Sequence, residues 1–100
     1  MERFNLKSSV NWCHHELVSL KPVIEHPNEL WFKVISNYPV KIINDQKAKL
    51  PETVILHCGP NLTIGMEGPV EGTKLKEICP CYNRQGELNF YVLIYDISSN

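Results

Sequence analysis

No apolar run in this chain approaches the ~20 residues a helix needs to cross a bilayer, so no membrane partner is expected. An excess of one charge is also missing. Ten Lys and Arg stand against eleven Asp and Glu, for a net charge of −1. That balance argues against a large electrostatic footprint for nucleic acid. Glycine is scarce, and Gly59, Gly65, Gly68, Gly72 and Gly86 form neither a dinucleotide-binding fingerprint nor a Walker loop. No apolar segment with a cleavage site opens the chain, so no secretory leader is expected. The expected setting is intracellular, cytoplasmic or nuclear, where thiols stay reduced. Internal repeats, low-complexity runs and linkers are absent, so residues 1–100 read as a single β-rich domain.

Catalytic motifs are absent too. Cys58 follows His57, but neighbours on a strand point to opposite faces, so His57 cannot serve that thiol as base. Glu67, Glu71 and Glu77 read as a solvated acidic loop. A non-enzyme is expected, with no cofactor.

What the chain has in number is proline. Seven prolines fall at 22, 27, 39, 51, 60, 69 and 80. Proline cannot donate to a ladder and belongs at strand ends, edges and turns. Long helices do not fit between these stops. Short strands at this spacing indicate an all-β fold, a small β-sandwich or partly open β-barrel of about seven short strands. The expected strands are 4–10, 17–25, 29–37, 40–44, 52–58, 61–66 and 87–97. Cys58-Gly59-Pro60-Asn61 reads as a turn, with Leu62, Ile64 and Met66 as the return arm of a hairpin. Thr73 to Ile78 reads as one helical turn, capped by Thr73 and stopped before Pro80.

The strongest strand, 87–97, is apolar on both faces. Leu88, Phe90, Val92 and Ile94 alternate with Tyr91, Leu93, Tyr95 and Ile97. A domain this small buries only part of its apolar surface. One face is therefore expected to meet a partner, either another protein or a second copy. The interface is expected at Tyr91, Leu93 and Tyr95, with Trp31 and Ile35 as sheet neighbours. The leading function is a non-catalytic protein–protein interaction or assembly module.

Two alternatives come from other classes. An OB-like barrel binding nucleic acid would use Lys33, Lys41, Lys47 and Lys49 on phosphates; the net charge counts against it. A small zinc-stabilised domain would draw on Cys58, Cys79, Cys81 and His57. Cys79 and Cys81 have one residue between them, not the two to four of familiar zinc pairs. They would share one face of a strand.

Overall fold

The computed structural model describes residues 15–43, 52–59 and 61–97. Strands β1 (Ser19–Glu25) and β2 (Glu29–Ile35) form an antiparallel hairpin. Pro27 and Asn28 make its turn, and His26 and Glu29 exchange backbone hydrogen bonds of 2.9 and 3.4 Å across it. Proline suits the second position of such a turn because its φ is already set. Strand β3 (Val40–Ile43) pairs in parallel with β4 (Val54–His57). Strands β5 (Thr73–Tyr82) and β6 (Leu88–Ile97) form a second antiparallel hairpin. The turn between them is built on Asn83, whose Oδ1 accepts the amides of Gln85 and Glu87, both at 2.9 Å.

The hairpins join through β2 and β6. The result is a four-stranded sheet of order β1-β2-β6-β5 and a separate two-stranded sheet, β3-β4. One hydrophobic core unites them. Leu20, Leu30, Phe32, Val34, Leu75, Leu93 and Tyr95 come from the large sheet, and Val54 and Leu56 from the small one. Val40 and Ile42 pack against this core, and Leu62 enters it from the loop after β4. Each fully buried side chain of this size stabilises the fold by roughly 1.5–3 kcal/mol. Phe32 and Tyr95 meet edge to face, with ring centroids 5.6 Å apart. The Tyr91 hydroxyl accepts the Ile42 amide at 3.2 Å and ties β6 to β3.

The fold is all-β, in two layers, with six strands among the described residues. The expected strand at 4–10 lies outside those residues. The expected hairpin of 52–58 with 61–66 is not formed. β4 takes β3 as its partner, and Leu62 makes only an isolated parallel bridge to Cys58. The chain from Gly65 to Gly68 instead caps the start of β5. The Gly65, Leu75 and Gly68 amides donate to Leu75, Met66 and Thr73 carbonyls at 2.7–2.9 Å.

The expected helical turn at Thr73–Ile78 is part of the ten-residue strand β5. Pro80 does not stop that strand, because β5 is an edge. Thr73 and Leu75 direct their backbone groups away from β6, toward the Gly65–Gly68 segment. A bulge between Leu75 and Glu77 moves the outward set to Ile78 and Pro80. The missing N–H of Pro80 thus falls on the outer side, where no ladder bond is lost. Pro22 follows the same logic at the other edge. His26 and Glu29 are a bonded pair, and bonding alternates along β1. After the bulge between Pro22 and Ile24, Pro22 turns its nitrogen away from β2.

Candidate protein-docking face

Side chains on the large sheet alternate between the core and an outer face. In β2, Leu30, Phe32 and Val34 are buried, while Glu29, Trp31, Lys33 and Ile35 are half-buried. Register then assigns the neighbours. Trp31 lies opposite Ile24 on β1 and Ile94 on β6. Lys33 lies opposite Val92, and Val92 opposite Cys79 on β5. Phe90 lies opposite Cys81. The outer face therefore carries an apolar row, Ile24-Trp31-Ile94, crossing three strands. Beside it sit Val92, Phe90, Ile35 and two thiols. Ile24 is 40% exposed, whereas Val92 and Ile94 at the centre of the face are buried.

Polar groups frame this face. The Trp31 indole donates to Glu29 Oε1 at 3.0 Å, and Lys76 reaches Glu29 Oε2 at 2.6 Å from β5. The Lys76 hydrogen bond, then the indole, hold the Glu29 carboxyl below its usual range. The same carboxylate raises the Lys76 ammonium. The indole plane is thus fixed by two charged residues, and His26 tilts over it with ring centroids 5.1 Å apart. The Lys33 ammonium lies 4.3 Å from the Phe90 ring centroid. Cys79 Sγ donates to Glu77 Oε2 at 3.1 Å. Burial, then that carboxylate, push the Cys79 thiol up to about 11. At neutral pH it is a protonated, weakly nucleophilic group.

The expected interface residues divide between the two faces. Leu93 and Tyr95 are fully buried in the core, and Tyr91 packs against it. The expectation of a partner-facing set at Tyr91, Leu93 and Tyr95 is corrected: the small sheet covers that face. Trp31 and Ile35 lie on the opposite, outer face. The register separates them: Trp31 lies opposite Ile94 and Phe32 opposite Leu93, so Trp31 and Ile35 share the face of Phe90, Val92 and Ile94. No local pattern announces that register, so Phe90, Val92 and Ile94 have no role assigned from sequence.

The expected zinc set is not brought together. His57 and Cys58 close β4 in the small sheet, while Cys79 and Cys81 lie on the outer face of the large one. Among the described residues, no three His, Cys, Asp or Glu side chains are grouped to hold a metal. The lysines are also dispersed. Lys33 is on the outer face of β2, Lys41 is exposed on β3 in the other layer, and Lys47 and Lys49 lie outside the described residues.

Two open clefts adjoin the face at the end of β2. One of about 330 Å³ is lined by Leu17, Ile35 and Tyr38, and one of about 250 Å³ by Lys33, Ile35, Tyr38 and Phe90. They sit at or below the lower end of the ~300–1,000 Å³ typical of ligand pockets, so they extend the face rather than enclose a small molecule. No helix among the described residues is long and apolar enough to cross a membrane. Fold and site together define a two-layer all-β protein with an aromatic outer sheet face. Compared with known protein families, curated proteins and solved structures, the chain matches none.

Proposed function

We propose that this protein is a non-catalytic assembly module whose copies associate through the outer face of the four-stranded sheet. The observation that supports this reading is the Ile24-Trp31-Ile94 row, in which Ile24 is exposed, Trp31 is half-buried and braced by Glu29 and Lys76, and Ile94 is buried. Braced aromatics of this kind anchor interfaces, and a charged frame supplies the polar rim.

The route of association follows from the edges. Pro22 and Pro80 remove outward donors from both edge strands, and each edge carries a bulge. These devices oppose strand addition. Face-to-face packing remains, and a second copy supplies a face of matching size. Four strands about 4.8 Å apart and some 25–30 Å long present roughly 500 Å² per copy. Two such faces bury about 1,000 Å², the lower bound for a specific interface. Charge is unevenly placed as well. Lys21 and Lys33 lie toward one end of the face, and Glu29, Glu77 and Asp96, with Lys74 and Lys76 among them, toward the other. An antiparallel pairing of two faces sets these ends against each other. We assign this function to a reducing compartment, the cytoplasm or nucleus, where Cys58, Cys79 and Cys81 stay free thiols.

Size-exclusion chromatography with light scattering, at two concentrations under reducing conditions, tests the proposal. A dimer that dissociates on dilution is expected. Trp31→Asp is expected to give a folded monomer by circular dichroism. Leu93→Ala, in the core, is expected to lose about 2–5 kcal/mol of stability instead. A wild-type chain that stays monomeric at both concentrations overturns the reading, as does a Trp31→Asp protein that still dimerises.

A further inference from the structure

Cys79 and Cys81 form a second feature of the outer face, and it stands independently of the docking reading. Both project from the same side of β5, one opposite Val92 and the other opposite Phe90. Pro80 lies between them and restricts the backbone that sets their spacing. Cys81 Sγ leans back along the strand, to 4.0 Å from the Cys79 carbonyl oxygen. Both thiols are free and half-buried.

Strand geometry decides what such a pair can do. Residues i and i+2 of a strand hold their Cβ atoms about 6.6 Å apart. A disulfide needs roughly 3.5–4.5 Å, so β5 must break before these sulfurs can bond. A metal ion between them relaxes that demand. Two metal–sulfur bonds of about 2.3 Å placed end to end span roughly 4.6 Å. Cys81 already leans toward Cys79, and rotation of the Cys79 side chain from its hydrogen bond with Glu77 Oε2 supplies the rest of that span. Ligand number then selects the ion. A structural zinc site wants four ligands; no such set is grouped among the described residues, and the Glu77 carboxylate that meets Cys79 is a hard oxygen donor. A soft d10 ion that accepts two thiolates in a line, copper(I) above all, fits the donor type and the count.

We propose that Cys79 and Cys81 form a two-coordinate thiolate site for a soft monovalent metal ion, of which copper(I) is the type. Binding forms two metal–sulfur bonds and releases two thiol protons to solvent, with no change of oxidation state. The bis-thiolate complex carries one negative charge. The Lys33 ammonium, resting over the Phe90 ring opposite Cys81, offsets that charge on one side, while the Glu77 carboxylate beside Cys79 adds to it on the other. Val92 and Phe90 give the ion an apolar floor.

The test is an anaerobic titration of the full, reduced chain with copper(I) against a chromogenic copper(I) chelator. One equivalent withheld from the chelator is expected, with a sulfur-to-copper charge-transfer band in the near ultraviolet. Cys79→Ser and Cys81→Ser should each abolish that equivalent and the band while leaving the melting curve of the metal-free protein unchanged. Cys13→Ser and Cys58→Ser should leave both in place. Failure of the wild-type chain to compete with the chelator overturns the proposal. So does retention of the equivalent in either the Cys79 or the Cys81 variant. Running Trp31→Asp in parallel separates this site from the docking face, since that variant should bind copper(I) normally as a monomer.

Discussion

Gly68 stands where the chain approaching β5 crosses the Tyr95 ring. A Cβ at this position would lie 2.6 Å from Tyr95 Cδ1 and would also collide with the Thr73 hydroxyl. Both neighbours are buried, and the Thr73 hydroxyl is held by its bond to the Val70 carbonyl at 2.6 Å. Neither can move aside, so Gly68→Ala is expected to cost about 1–3 kcal/mol in a urea melt. Cys79 carries a different residue-scale prediction. Its thiol is neutral when protonated, and folding raises it from an ordinary value of 9.0 to about 11. Between those values the unfolded chain loses its proton first. Folding stability should therefore fall as pH rises from about 9 to about 11 and be fully present below that window. Chemical denaturation across the window checks this, and Cys79→Ser should flatten the slope. The residue-level signals in the sequence were of unequal value. Trp31 is expected on a partner-facing surface, and it lies half-buried on the outer face of the large sheet. The collision at Gly68 is not legible in the sequence, because it depends on a ring contributed from β6.

At the scale of elements, proline spacing indicated short strands, and five of the expected strands meet that reading in whole or part. β1, β2, β3, β4 and β6 all fall within their expected segments. β5 is not legible in the sequence because Pro80 has the look of a stop. Proline only forbids a donor, and whether that donor is needed depends on which side of the strand faces a neighbour. That side is set by the bulge after Leu75, which no local pattern announces. The expected return arm at 61–66 is not formed for a related reason. Its alternation of Leu62, Ile64 and Met66 suits a strand, but β4 already had β3 beside it. Leu62 is buried while Ile64 is 60% exposed, so the two do not share an environment as strand alternation would require. The edge prolines lead to a third prediction. Replacing the buried Pro22 by valine and the exposed Pro80 by threonine restores outward donors to both edges without burying a hydroxyl. Light scattering during prolonged incubation should then show faster aggregation than in the wild-type chain, with little change in the midpoint of reversible unfolding.

At the scale of the whole molecule, the two layers are joined by the common core and by a polar bridge between described residues. The Tyr91 hydroxyl reaches from β6 to the amide of Ile42 on β3. Tyr91→Phe keeps the ring and leaves that amide without its partner. A loss of about 1–2 kcal/mol is expected, and the Ile42 amide should exchange with solvent faster than in the wild-type protein. The amino-acid sequence by itself determined the fold class, the shortness of the strands and the apolar character of both faces of β6. These follow from local rules: proline removes donors, and side chains alternate along a strand. Only the tertiary structure decided which face of β6 became interior. Phe90, Val92 and Ile94 are as apolar as Tyr91, Leu93 and Tyr95, so hydrophobicity alone does not choose between them. The choice is made by where the β3-β4 layer packs, and that layer covers the side holding Leu93 and Tyr95. The same placement left Trp31, Phe90 and the Cys79-Cys81 pair together on the outer face, because residues far apart in the chain become neighbours only through strand order and register.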